Sequence, residues 1–221
     1  MVRLFYLIQK DLKLILGRSN IYLQSILLGL VLIFLFSLSR PIGGILTSSY
    51  AATIFWISSN FSLILIFNAL YLLEQENNMH EALNLSPLIS QEIWIAKAIS
   101  GLVLLLLVQI FFIGAVVIFL GQQEFNCSLY AIIFFFLINI GLTLIGSLLG
   151  ALSYGYEIKE SFLSLIIFPL VIPLLLAGIK LGESVWGESN DLLSWFRLTL
   201  SFDLIYLGGG YILFPFIFSG E

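Results

Sequence analysis

Long apolar runs alternate with short polar stretches along this chain of 221 residues. A helix that crosses the hydrocarbon core of a membrane needs about 20 apolar residues. Six charge-free windows approach or exceed that length, at residues 21–39, 51–73, 98–121, 129–153, 161–179 and 204–218. The last is the shortest and contains Gly208-Gly209-Gly210, so an element that enters the membrane and turns back is the alternative there. The pattern predicts an all-α polytopic membrane protein with six transmembrane helices.

Residues 1–18 have an amphipathic pattern instead of a continuous apolar one. At 100° per residue the polar and apolar side chains separate onto two faces, with Asp11 at the edge of the apolar one. The polar face holds Arg3, Tyr6, Lys10 and Lys13. Such a helix suits the membrane interface. It is either an anchor that fixes topology or an elbow helix that braces a cytoplasmic partner.

The positions of Lys and Arg predict the orientation, since cytoplasmic loops carry the excess of these residues. With the N-terminus inside, six of them fall in inside segments and three, Arg40, Lys180 and Arg197, fall outside. Both termini are therefore predicted to be cytoplasmic. Residues 180–203 then form an extracytoplasmic segment, in which Leu192, Leu193 and Trp195 suggest a helix lying on the outer surface.

The segment 74–97 is the main polar interruption, and it is predicted to be cytoplasmic. It holds Glu74, Glu76, Glu81 and the only histidine, His80. Ser86-Pro87 is typical of a helix start, because serine caps a helix and proline fits its first turn. Trp94 and Lys97 follow, where an interfacial aromatic ring and a snorkelling lysine are expected. The pattern favours a docking helix over a solvated loop.

Composition narrows the classes of function. The chain is 60% hydrophobic and 10% charged, against about 25% charged residues in soluble domains. Its net charge of −4 provides no basic surface for nucleic acid. With Cys127 as the single cysteine, neither an internal disulfide nor a cysteine zinc cluster is possible. No phosphate-binding loop of the Gly-x4-Gly-Lys-Ser/Thr type is present, so any ATP must be hydrolysed by another subunit. No catalytic cluster lies in the spans, which argues against an enzyme.

A few residues within the predicted spans are candidates for function. Pro169 and Pro173 should kink the fifth helix, as a static bend or as a hinge for gating. Asn60, Asn68 and Asp203 are candidates for a substrate path or a helix interface. The pattern Gly146-x3-Gly150 permits close helix approach and is also found in helix dimers.

Several motifs together resemble a known family. They are Leu72-Leu73-Glu74-Gln75-Glu76, Glu81-Ala82-Leu83, Leu85-Ser86-Pro87, Ile95-Ala96-Lys97-Ala98 and Phe168-Pro169-Leu170-Val171-Ile172-Pro173. With six spans and an N-terminal amphipathic arm, the chain resembles the membrane subunit of type-2 ABC exporters. Within that group it is most similar to the haem exporter protein B family, the permease of cytochrome c maturation.

The resemblance implies a partner-dependent transporter in the bacterial inner membrane. Its partners would be an ATP-binding subunit like CcmA, which holds the ATP, and haem-handling subunits like CcmC and CcmD. Haem would be cargo and not a covalently bound cofactor, and we expect His80, in a polar helix, not to bind its iron. Two copies of the chain would form the path. The segment 74–97 would be the coupling segment, which receives the motion of the ATPase. The residues that receive it would be Glu74, Glu76, Glu81, Leu83, Ser86 and Pro87.

Two other functions remain open from the residues alone. One is a type-2 export permease for another substrate, such as a glycan, a lipid or a drug. The other is a membrane scaffold that only tethers an ATPase to haem-handling subunits.

Overall fold

The computed structural model describes residues 2–17, 19–39, 46–76, 89–122, 128–155, 160–187 and 192–219. These residues are almost entirely helical and contain no strand, which confirms the all-α fold class. The helices in these ranges are α1 (Val2–Gly17), α2 (Ser19–Leu38), α3 (Ser48–Glu76), α4 (Ser90–Leu120), α5 (Leu129–Gly155), α6 (Glu160–Trp186) and α7 (Leu192–Ser219).

Five stretches of the described helices are long and apolar enough to cross a membrane. They are Ser48–Glu74, Ser90–Leu120, Leu129–Leu152, Pro169–Trp186 and Leu192–Ile217. Arg3–Gly17 and Tyr22–Leu38 meet the same criteria only as a pair, bent by 69°. The pair corresponds to the amphipathic arm and the first predicted span. The chain is thus a multi-pass membrane protein with five such helices, or six with the bent pair.

The last two helices differ from their predicted windows. α6 continues beyond Lys180 to Trp186, and α7 begins at Leu192, twelve residues before its predicted start. The prediction of a separate surface helix within 180–203 is wrong, because residues 192–203 form the first turns of α7. The two helices extend beyond their predicted windows because a charged side chain does not break the backbone hydrogen bonds of a helix. Lys180 pairs with Glu183 one turn later at 2.8 Å, and Asp203 is buried.

The core is built around α3, which packs against α2, α4, α5 and α6. The Phe67 ring fills the space left by Gly101 of α4 and Gly146 of α5, where an added Cβ would overlap it. Gly150 accommodates Tyr71 of α3 in the same way. The Gly146-x3-Gly150 pattern is therefore used within one chain to bring α5 against α3, so it does not indicate a seam between two copies.

Candidate functional site

The end of α3 and the start of α4 lie within the predicted coupling segment, residues 74–97. α3 ends at Glu76 and α4 begins at Ser90. The predicted coupling residues Glu81, Leu83, Ser86 and Pro87 lie outside the described residues, as do His80 and the side chain of Glu76. Glu74 is therefore the predicted coupling residue whose side chain the structure describes.

Glu74 points into the protein and is only 3% exposed. One of its carboxylate oxygens accepts hydrogen bonds from two lysines on different helices. The Lys97 Nζ of α4 lies 2.9 Å from that oxygen, and the Lys10 Nζ of α1 also contacts it. Glu74 is thus an internal link between α1, α3 and α4, and any role in coupling has to pass through these contacts.

Lys97 is equally enclosed, with 1% of its surface exposed. The prediction that it snorkels to the membrane interface is wrong, because its ammonium group is held inside by acceptors. Besides Glu74, the Lys97 Nζ lies 3.4 Å from the Leu70 carbonyl oxygen and 3.8 Å from Asp11 Oδ2. A buried ammonium group needs such partners, since burying an unpaired charge is very unfavourable.

Asp11 of α1 completes the cluster. It is 2% exposed, and its Oδ1 lies 3.1 Å from Lys10 Nζ. We call Lys10, Asp11, Glu74 and Lys97 the charge network. Its two lysines balance its two acids, which offsets much of the cost of taking the charges out of water. Only the Lys10 side chain, 27% exposed, is partly accessible.

Tyr71 extends these contacts to α5. The Lys97 Nζ lies 4.7 Å from the centre of the Tyr71 ring, within the range of a cation–π interaction. The Tyr71 hydroxyl donates a hydrogen bond to the Ser147 carbonyl oxygen at 2.9 Å, and the Ser147 hydroxyl donates to the Trp94 carbonyl oxygen at 3.3 Å. Four helices therefore meet around the charge network.

The sequence contained a signal for Asp11 that the helical-wheel argument missed. Leu7 and Ile15, one helical turn before and after it, are the buried apolar positions of α1. Asp11 therefore lies at the centre of the buried stripe and not at the edge of an apolar face. A carboxylate at such a position favours a cationic partner on another helix.

Trp94 is also buried, with no exposed surface, so its ring packs inside the protein. Its ring lies 6.4 Å from that of Phe214 of α7. It also covers Gly210, where an added Cβ would overlap the indole. Gly210 thus provides the space that the Trp94 ring occupies, whereas an added Cβ at Gly208 or Gly209 would meet nothing within 4 Å.

The three polar residues proposed for a path occupy different environments. Asn60 is buried, and its Oδ1 has no hydrogen-bond partner among the described residues. Asp203 is 5% exposed, and neither carboxylate oxygen has such a partner in the described part of the chain. Its carboxylate lies against Gly141 of α5, where an added Cβ would overlap it. Asn68 lies on an exposed face of α3.

Pro169 and Pro173 both lie inside α6, which continues through them. Pro169 is exposed and Pro173 is half-buried. α7 contains Pro215 in the same manner. A proline within a helix removes one backbone hydrogen bond. Because Pro169 and Pro173 are about one turn apart, α6 is weaker between them than in its other turns.

Comparison with known proteins identifies the family of this chain. The family model described as "CcmB protein" matches residues 2–219. Neither the curated proteins nor the solved structures contain a match to the chain. The family match covers nearly the whole chain and includes every helix described above. The chain therefore belongs to the CcmB family, and it is a membrane component of the haem export system of cytochrome c maturation.

Proposed function

We propose that the chain is the permease subunit of an ABC transporter complex that exports haem or releases a haem-loaded chaperone. The ATP-binding subunit is CcmA-like, the haem-handling subunits are CcmC-like and CcmD-like, and two copies of the chain form the path. The complex lies in the bacterial inner membrane, with both termini of this chain in the cytoplasm.

The observation that supports this proposal most is the charge network. It fastens α1 to α3 and α4 through Glu74 and Lys97, the first and last residues of the predicted coupling segment. Buried ion pairs resist separation, because pulling one partner away leaves an uncompensated charge in a poorly solvated place. A push on the coupling segment therefore moves α1, α3 and α4 together. The bond from Tyr71 to Ser147 passes the same motion to α5.

Glu74 and the other acids of the segment then have separate roles. Glu74 transmits force from inside the protein, because its carboxylate is enclosed. Direct contact with the ATPase falls to Glu76 and Glu81, with Leu83, Ser86 and Pro87 shaping the segment. This division assigns docking and transmission to different side chains, which can be tested separately.

Charge reversal tests the docking step. In cells that produce the whole complex, Glu76→Lys and Glu81→Lys should reduce co-purification of the ATP-binding subunit and lower the content of c-type cytochromes. Glu188→Lys is the matched control, since the same change is made in the segment predicted to lie on the opposite side of the membrane. Full retention of the ATP-binding subunit by both variants contradicts the proposed docking segment.

Proline replacement separates a permease from a scaffold. Pro169→Ala and Pro173→Ala restore backbone hydrogen bonds of α6 and stiffen it. A permease whose α6 bends during transport should lose cytochrome maturation while the complex still assembles. A scaffold should keep full activity with both variants. Normal c-type cytochromes in a strain that lacks the chain would exclude haem handling and favour another exported substrate.

A further inference from the structure

An apolar cavity of about 150 Å³ lies at the end of the helix bundle remote from the charge network. It is lined by the first half of α3, the second half of α4, the start of α5 and the end of α6. From Trp56, in its wall, to Glu74 is 18 residues of α3. At the helical rise of 1.5 Å per residue this is about 27 Å, so the cavity lies in the opposite membrane leaflet.

Aromatic rings hold the walls of the cavity apart. The ring of Phe55 lies 5.3 Å from that of Trp56 and 6.0 Å from that of Trp186, with edge-to-face geometry in both pairs. Phe135 of α5 lies 5.7 Å from Trp56. Trp56 is fixed from behind, since it covers Gly178 of α6, where an added Cβ would overlap the indole. These contacts keep the cavity from collapsing.

The lining excludes water and polar ligands. Nearly all of its surface is hydrocarbon or aromatic carbon. A water molecule needs two to four polar partners, and an apolar cavity of this size stays dry while accepting a benzene-sized apolar molecule. A few carbons of a hydrocarbon chain fit that description, whereas a tetrapyrrole ring is far larger.

The cavity borders the lipid-facing surface of α5. Ala131 is buried in its wall, and the adjacent lining residue Ile132 is 41% exposed. Leu129 and Phe136, which flank this stretch on α5, are exposed as well. In a helix predicted to cross the membrane these exposed side chains meet acyl chains. The apolar surface of the cavity therefore continues directly into the surface that contacts the bilayer.

We propose that the cavity is a lipid site that takes a few carbons of one phospholipid acyl chain, inserted beside Ile132 and against Trp56. The chain fills the space between four helices and supports the contact of α3 with α6 at Gly178. This site is independent of the transport function proposed above, and its test does not use transport activity.

Brominated acyl chains provide the test, because bromine quenches tryptophan fluorescence on contact. The full-length chain is placed in nanodiscs of phosphatidylcholine with or without bromine on the acyl chains. One variant keeps only Trp56, with Trp94, Trp186 and Trp195 replaced by Phe. The matched control keeps only Trp94, which is equally enclosed but packs on Phe214 and Gly210, away from the cavity.

The expected result is loss of most of the Trp56 emission in brominated nanodiscs, while Trp94 keeps most of its emission. In the Trp56 variant, Ala131→Leu should fill the cavity and reduce the quenching of Trp56 to the level of Trp94. Quenching of Trp56 that does not exceed that of Trp94 would give no sign of an acyl chain in the cavity, and the proposal would be wrong. Unchanged quenching after Ala131→Leu would also overturn it, since bromine would then reach Trp56 by another route. If Ala131→Leu does not fold, the comparison of Trp56 with Trp94 decides alone.

Discussion

Replacing Lys97 by Met tests the charge network at its most enclosed member. The two side chains have similar length, so the change mainly removes the ammonium group. It leaves the carboxylates of Glu74 and Asp11 with Lys10 as their remaining cation in the network. Removing one partner of a buried ion pair costs about 3–5 kcal/mol. Since 1 kcal/mol shifts the Tm of a chain of this size by about 2–4 °C, Lys97→Met should lower the Tm by about 6–20 °C.

Lys180→Met is the matched control for this experiment. Lys180 also forms an ion pair, 2.8 Å from Glu183, but its side chain is 41% exposed. Exposed pairs contribute at most about 1 kcal/mol, so this variant should lose no more than about 4 °C. Both variants are heated in nanodiscs of the same lipid, and unfolding is followed by tryptophan fluorescence.

A second replacement shows whether the loss comes from an unbalanced charge. Glu74→Met added to Lys97→Met leaves the neutral pair of Lys10 and Asp11, at 3.1 Å. Apolar residues of similar volume often replace a buried ion pair without loss of stability, so the double variant should regain most of the Tm. A Tm for Lys97→Met within the range of the control, or a double variant less stable than the single one, would refute the network.

Two further predictions concern the middle of the bundle and use the same unfolding measurement. Gly141→Ala should lower the Tm, because the new Cβ overlaps the Asp203 carboxylate. Asp203→Ala in the same chain should restore part of the loss. If the Tm losses of the two single variants simply add in the double variant, this contact is refuted. Gln109→Leu removes the donor that lies 2.9 Å from Asn139 Oδ1 and should cost about 0.6–2 kcal/mol. Asn139→Leu should cost less stability in the Gln109→Leu variant than in the unmodified chain. An equal cost in both would show that the two amides do not depend on each other.

Most helices could be predicted from the alternation of apolar and polar stretches, but their ends could not. The predicted windows end before Lys180 and begin after Asp203, because a charge is expected at the edge of the membrane. α6 and α7 continue through these positions. Helical hydrogen bonds join backbone groups, so a helix ends only where capping, proline or a turn provides an alternative. A charge within a helix predicts a nearby partner or a buried site better than it predicts an end.

For the candidate site, the sequence predicted the place but not the direction of its side chains. It placed Glu74 at the end of a helix next to a polar segment. Whether that carboxylate faces the cytoplasm or the core depends on Lys10 and Lys97, which reach it from helices distant in sequence. Helical periodicity describes one helix at a time and contains no information about how helices meet. Asp11, on a buried stripe, was the one local sign of the network.

The charge network also has a consequence for how the protein is made. Lys10 and Asp11 belong to α1, which leaves the ribosome before α4, the helix that contains Lys97. A nascent chain that has reached only the end of α3 brings two carboxylates and one ammonium group to this place. The charges balance when α4 enters the membrane in its correct position. Electroneutrality here is thus a property of the complete α1–α4 unit, and a chain that stops before α4 lacks it.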